Sequence, residues 1–585
     1  MALTYMKLVS LFVQPLGPAL ILSLGGIVLA LLRRRMRRKA VIAQMIAGRS
    51  LPVLPRFDLY EVRLPLALLA VLAAALLIFH VRTVSPQPTL GWNWQPLTVA
   101  GSVIEWRLDA WNWTASVLIL GLTGIALLLG EGLIEPESKP RLDLLGVGHE
   151  RTLYLGAAAL IFVASGNILT MSMGWIILDA ALALRLNLSA GVATSARAWG
   201  ALSLAGVLLL LLLTLLGEDG IRADLVAPRL SGLELSLLWL AALIRAGVYP
   251  FHFWLTGHGN ARHDQWLPMS LIGPLAGLWL LGRVHALAGA GWLRRPEWIA
   301  LSTLALLGTA LVAWTTEDPD RRWRWIALNR ASLAVMVAYT SVVTGPEALV
   351  WALATYGLGC ALLAAGRAAS ERFGWRGVSA LAALTLWGMP GTVGFLTRDA
   401  LVFPTESAVA APLFGVVMLA EILLVAALWQ AVTEPARAPG AKERGDWRSA
   451  LWIGLAVVLL AAPLIAFGLF PRSLAGLAGW PASAELPGLT GIVAGARRSV
   501  WIGLALSAVL GSALALFRER LLGQMRGWQA AIAAMASLEW LYRGIAALFG
   551  VFAAGLQYFA TLGEGAGYLG WLAVASLILW VLLRG

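Results

Sequence analysis

Apolar runs of about 18 to 25 residues recur from one end of the chain to the other, among them 64–81, the run that contains 205–216, 450–470 and 565–583. Each is long enough to cross a bilayer as a helix. In hydrocarbon every backbone polar group has to be satisfied within the protein, and a helix does this within a single segment. The chain is therefore expected to be an all-α polytopic membrane protein of roughly 16 spans. Composition agrees, with 59% hydrophobic residues, 13% charged residues and a mean hydropathy of +0.79. The first apolar run, 10–32, is too long for a signal-peptide core. It ends in Arg33-Arg34-Arg35-Met36-Arg37-Arg38-Lys39, a stop-transfer flank, and so is expected to stay as a helix.

Basic residues in short loops favour the cytoplasmic side. The segment 33–63 carries nine of them, and 316–324, 367–376, 434–448 and 517–526 carry three or four each, whereas 217–235, 344–348 and 403–410 carry two or none. This alternation predicts an N-terminus outside and basic loops inside. The net charge of +13 then reflects topology and attraction to anionic headgroups of the lipid bilayer; no nucleic-acid partner is expected, because no soluble segment interleaves basic and aromatic residues. The 28 tryptophans, many near span ends, are expected to be mainly interfacial anchors, with a minority packing between helices.

Cys360 is the single cysteine, which excludes an internal disulfide, an iron–sulfur cluster and a cysteine zinc site within this chain. The six histidines show no HExxH spacing or cluster, so no metal site is expected. Gly146-Val147-Gly148 has no strand before it and reads as a flexible turn. No cofactor and no catalytic redox centre are expected.

Two spans are broken near their middle. The segment 236–256 contains Arg245, Pro250 and His252, and 378–402 contains Gly388-Met389-Pro390-Gly391-Thr392-Val393-Gly394. They lie five spans apart. Five is odd, so equivalent repeats holding them have opposite orientations, and paired discontinuous helices of that kind point to an ion or substrate path. The alternative is that each proline only kinks its helix. The expected organisation is 1–130 (spans one to three), 131–295 and 296–436 (two inverted five-helix repeats) and 437–585 (spans and amphipathic helices). Within the last, 519–540 is expected to lie along the cytoplasmic interface.

The run Arg245 to Leu255 resembles the K-S-A-Q-x-P-x-H-x-W-L signature of the antiporter-like membrane subunits of respiratory complex I, shared with Mrp-type cation/proton antiporters and membrane-bound hydrogenases. Leu384 to Asp399 resembles that family's L-A-G-x-P-P-x-x-G-F-x-x-K-D motif. Weaker echoes occur at Trp106–Ala110, Asn167–Trp175, Ala276–Arg283 and Arg324–Ala327, in the family's order over 100–435. The resemblance implies an ion-translocating, most simply proton-translocating, subunit of an NADH:quinone oxidoreductase-like assembly in a bacterial inner membrane, with other membrane subunits of a complex I-like or Mrp-like assembly as partners.

In that family a midplane chain of lysines, histidines and glutamates carries protons, and here several members are replaced. Ile176 stands where the glutamate would be, Arg245 and Arg398 replace the two broken-helix lysines, Ala354 and Leu358 replace a histidine and a lysine, and a further histidine falls near Met269. A guanidinium stays charged at physiological pH and cannot relay a proton as a lysine can. The ion-pathway candidates are thus Asp179, Arg245, His252, Arg398 and Glu421, around the broken-helix residues Pro250 and Pro390. Asp179, about 300 degrees and 4.5 Å along the helix from Ile176, either pairs with Arg245 or meets water near a helix end. His252 either exchanges protons or binds carbonyls freed by Pro250. Glu421 either neutralises Arg398 from the adjacent span or is protonated. Arg330 is expected to snorkel toward the cytoplasmic headgroups. Two alternatives to translocation remain: a scaffold paralogue that has lost conduction, and a membrane partner in cation or inorganic-carbon uptake.

Overall fold

The computed structural model describes residues 13–47, 59–84, 89–94, 102–133, 148–189, 192–221, 225, 230–256, 263–293, 295–340, 348–401, 410–434, 447–480, 489–524, 531, 534–535, 538–563, 570, 572, 574–577 and 579–580. It divides into two units, Met1–Glu519 and Arg520–Gly585. The first begins with α1 (Gly17–Ala47) and α2 (Leu59–Thr83), a hairpin of β1 (Leu90–Trp94) and β2 (Ser102–Trp106), and α3 (Ala110–Leu133).

Ten helical segments follow, taken as two sets of five. The first five are α4 (His149–Val163), α5 (Ile168–Ser189), α6 (Val192–Ile221), an interrupted helix of α7 (Gly232–Ala246) and α8 (Phe253–Thr256), and α9 (His263–Leu293). The second five are α10 (Pro296–Thr315), α11 (Pro319–Thr340), a helix in which α12 (Ala348–Ala354) runs through a π-helical turn (Thr355–Gly359) into α13 (Cys360–Phe373), an interrupted helix of α14 (Arg376–Trp387) and α15 (Val393–Asp399), and α16 (Ala410–Thr433). The interrupted helix is the fourth of each five. After them come α17 (Trp447–Leu469), α18 (Pro471–Ala478), α19 (Leu489–Gly495), α20 (Arg498–Leu516) and α21 (Arg518–Gln524). In the second unit α22 (Glu539–Gly563) is the long element. The amphipathic stretch expected over 519–540 lies partly outside the described residues, and the long amphipathic helix begins only at Glu539.

Among the described residues nine helices are long and apolar enough to cross a membrane, and 168–184 and 202–216 are shorter apolar helices. The protein is an all-α, multi-pass membrane protein that also carries, among the described residues, one short antiparallel β-hairpin that its apolar pattern did not suggest. The hairpin fastens the α4–α5 turn: Arg107 N donates to Ala164 O at 2.8 Å, Gly166 N to Glu105 O at 2.8 Å, and Glu105 N to Thr170 Oγ1 at 2.8 Å. Here two of the weaker family echoes meet.

α11 falls outside the apolar set because it carries Arg321, Arg322, Arg324 and Arg330, yet it is buried along nearly its whole length. Arg330 pairs with Glu421 of α16 and Arg322 with Glu434 just beyond it, whereas Arg321 and Arg324 meet Asp318 and the carbonyl of Asp320 at the start of α11 itself. A minority of the tryptophans pack between helices, as expected. Trp113, Trp175, Trp239, Trp254 and Trp279 are fully buried between helices. Several spend their indole N–H on freed or facing acceptors: Trp111 on Trp279 O (2.9 Å), Trp279 on Asn112 Oδ1 (2.9 Å) and Trp323 on Cys360 O (2.9 Å).

Candidate ion-pathway site

The first break is set by local chemistry. α7 starts with a capping box in which Ser231 N donates to Glu234 Oε2 at 2.6 Å and Glu234 N donates to Ser231 Oγ at 3.4 Å. It stops at Gly247, whose left-handed φ of 63° a side chain would resist. Arg245 sits in the last turn, where the negative end of the helix dipole favours a cation. Its guanidinium is fully buried, in ion-pair contact with Asp179 of α5, and lies 3.9 Å over the ring of Trp175, one turn before that aspartate. Asp179 keeps 17% of its side chain exposed, whereas Ile176 points outward at 64%. The acid thus lies on the inward side of α5 and the position of the family's glutamate on its outer side.

Across the break, Trp254 Nε1 donates to the freed carbonyl of Ile244 at 2.9 Å. His252 is buried, stacked on Tyr249 with ring centres 5.1 Å apart, packed against Trp325 at 4.8 Å, and bonded to the backbone of Pro250. These contacts favour the carbonyl-binding role of the two left open for it. The peptide before Pro250 is cis. Gly277 of α9 crosses so near that a Cβ there would lie 2.2 Å from Ala246 N.

The second break is built on the same plan with different caps. α14 ends at Gly388 with φ 93°, and the last carbonyls are taken by two arginines: Arg330 Nη1 donates to Leu386 O at 2.9 Å, and Arg398 Nη1 donates to Trp387 O at 2.9 Å. Both face one carboxylate. Glu421 of α16 accepts from Arg330 Nη2 at 2.7 Å and lies 3.6 Å from Arg398 Nη1. Asn329 Oδ1 accepts from Arg330 Nη2 at 2.6 Å, and Ser507 of α20 accepts from Trp387 Nε1 at 3.0 Å and Arg398 Nη2 at 3.4 Å. Arg330 therefore does not snorkel: it points into the bundle as the closer partner of Glu421, because freed carbonyls and a buried carboxylate satisfy it better than a stretched route to the headgroups. Met389, beside Pro390, is exposed at the break, and Gly468 of α17 lies where a Cβ would be 2.5 Å from Gly391 O.

Between the breaks, the π-helical turn occupies the place where Ala354 and Leu358 replace the family's histidine and lysine. π turns widen a helix locally and expose backbone groups. Here Tyr356 Oη donates to Ser270 O of α9 at 2.8 Å, Thr355 and Thr397 hydroxyls share a hydrogen bond of 2.8 Å, and Leu358 is buried. The chain's four lysines are Lys7, Lys39, Lys139 and Lys442, so none occurs from 140 to 441. No lysine relay is available in either five-helix group.

Reading the sequence missed Arg330 as a site residue, although the buried dipeptide Asn329-Arg330 was a signal. It also missed Ser507 and Tyr356, which lie in apolar or unremarked runs. A third group, Asp109, Asn112 and Arg283, ties α3 to α9: Arg283 Nη2 donates to Asp109 Oδ2 and to Asn112 Oδ1, each at 2.5 Å. Asp109 belongs to the Trp106–Ala110 stretch and Arg283 to Ala276–Arg283, whereas Asn112 lies outside both. Among the described residues no group of three metal-ligating side chains is close enough to hold an ion.

A chain in the solved structure of the Mrp complex from Dietzia sp. DQ12-45-1b superposes with a TM-score of 0.68 at 16% identity, over 88% of this chain and 60% of that one. The two chains share a fold. The present chain spans 60% of the length of the Mrp-complex chain it matches. No protein-family model and no curated protein matches the sequence.

Proposed function

We propose that this chain is an ion-translocating, antiporter-like subunit of a multi-subunit membrane complex, with protons as the ion and no redox cofactor of its own. The observation that carries the reading is a buried arginine–carboxylate group at each broken helix, Asp179 with Arg245 and Glu421 with Arg330 and Arg398. In both groups the arginines hold fixed charge, and the carboxylates are the members able to take up and release a proton. In this reading the two sets of five helices are inverted repeats, each contributing one break and one group, with the basic loops cytoplasmic and the N-terminus outside. Redox-active partner subunits of a complex I-like assembly would supply the driving force; an Mrp-like assembly is the other setting the fold supports.

One observation favours the rival scaffold reading: the positions between the two groups are filled by Leu358 and by Gly357 packed on Leu122 and Leu275, which carry no proton. The test is the intact complex, purified through a tag on this chain and reconstituted in vesicles with a fluorescent ΔpH probe. Loss of most driven proton flux in Asp179→Asn or Glu421→Gln, with assembly intact, is the expected result. Unchanged flux in both variants would leave the chain a scaffold. In Arg245→Lys the pathway regains a titratable cation, so flux is expected to stay the same or rise; a sharp fall with intact assembly would overturn the fixed-charge role.

A further inference from the structure

We propose that the groove between α1 and α4 is a binding site for an anionic phospholipid. It has a volume of about 350 Å³ and is lined by Ile27, Ala30, Leu31, Arg33, Arg34 and Tyr154. Its two ends differ in chemistry. Ile27, Ala30 and Leu31 form an apolar strip on α1, and Ile27 and Leu31 face outward, where acyl chains lie. One turn further the strip meets Arg33, Arg34 and Arg35, at the end of the span Gly17–Arg35, where hydrocarbon gives way to headgroups. An apolar strip that ends in guanidinium groups at headgroup depth has the polarity of a phospholipid.

The charges at that end do not cancel. Arg33 is in ion-pair contact with Glu150 of α4, whose carboxylate is buried, so one of three arginines is matched by one carboxylate. Arg34, in the lining of the groove, is exposed, and the neighbouring Arg35 is exposed as well, so positive charge is in excess at that end of α1. A zwitterionic headgroup would place its own cation against them, whereas a phosphodiester with a neutral head brings the matching charge. Tyr154 closes the floor. A Cβ at Gly26 would lie 2.6 Å from Tyr154 Cε1, so glycine at this point lets the tyrosine ring lie against α1. The apolar strip argues for a lipid over free phosphate, which would use only the basic end.

The full-length protein in detergent, exposed to mixed micelles of equal dioleoylphosphatidylglycerol and dioleoylphosphatidylcholine and read by native mass spectrometry, tests this. The wild type is expected to retain the anionic lipid preferentially, and inorganic phosphate in large excess should not displace it. Arg34→Gln should reduce that preference roughly fivefold, the contribution of one basic residue near an anionic surface, and Arg34→Glu should reduce it further. Arg34→Lys should keep most of it, and Arg376→Gln, at an exposed arginine on α14, should change nothing. Because Arg34 is exposed, its variants keep the fold, which their own melting curves, set against that of the wild type, check. Equal retention of the two lipids by the wild type, displacement by phosphate, or equal behaviour of Arg34→Gln and Arg376→Gln would each overturn the proposal.

Discussion

At the scale of single residues, the chemistry turns on arginine standing where a relay would use lysine. A buried guanidinium is tolerable only with a carboxylate or with carbonyls, and Arg245, Arg330 and Arg398 have both kinds of partner among them. Removing Asp179 alone strands Arg245. Asp179→Ala is expected to destabilise the protein by about 3 to 5 kcal/mol, read as a lower melting temperature in detergent, while the double variant Asp179→Ala with Arg245→Leu should recover much of the loss because no unpaired charge remains. Equal melting temperatures for the single and double variants would show that the pair is not energetically coupled. Glu421→Ala leaves two cations facing each other with no carboxylate, so its cost should be no smaller than that of Asp179→Ala.

At the scale of elements, each broken helix needs a glycine to turn, donors for its freed carbonyls and a neighbour that can approach closely. At the first break one indole supplies the donor; at the second, two guanidinium groups do. Trp254→Phe removes the indole donor to Ile244 O and leaves that carbonyl only the 3.1 Å bond from Gly247 N, at an expected cost of about 0.5 to 1.5 kcal/mol in chemical or thermal unfolding. Gly277→Ala would force α9 off the end of α7, at about 1 to 3 kcal/mol. Gly308→Ala is the matched control: its Cβ would meet Tyr249 at an ordinary 3.7 Å, and the added methyl in a helix should be neutral or slightly stabilising. A cost at Gly308 equal to that at Gly277 would show that the crossing is not specially tight.

At the scale of the molecule, lipid offers no hydrophobic drive between helices, so close packing and polar fastenings hold the two sets of five helices to what surrounds them. Asn112 accepts from both Arg283 and Trp279 and so connects α3 with α9. Asn112→Ala should cost about 1.5 to 3 kcal/mol. It should also raise hydrogen exchange around 102–113 and 279–285 while leaving 319–340 protected; a uniform change across the protein would argue against a local fastening. Near the basic loops, Arg322 is buried with its guanidinium donating to Thr316 O at 2.8 Å and lying 2.5 Å from Glu434, which links the start of α11 to the end of α16.

What the sequence determined by itself is the part that depends on local runs: apolar length, the basic flank after 32, and the glycine and proline breaks at 247–250 and 388–391. Backbone satisfaction in lipid makes those signals nearly sufficient, so the helical, multi-pass fold and both interruptions were legible. Hydropathy alone passes over α11 because four arginines lower its apolar average, although Arg322 and Arg330 are buried against Glu434 and Glu421, far along the chain. The partner of each charge was decided only by tertiary structure. Asp179 and Arg245 are 66 residues apart, Arg330 and Glu421 are 91 apart, and no spacing rule links them. Arg330 was misread for this reason: distance from the basic loop was visible in sequence, but the carbonyls of Leu386 and the carboxylate of Glu421 came within reach only when α14 and α16 packed against α11.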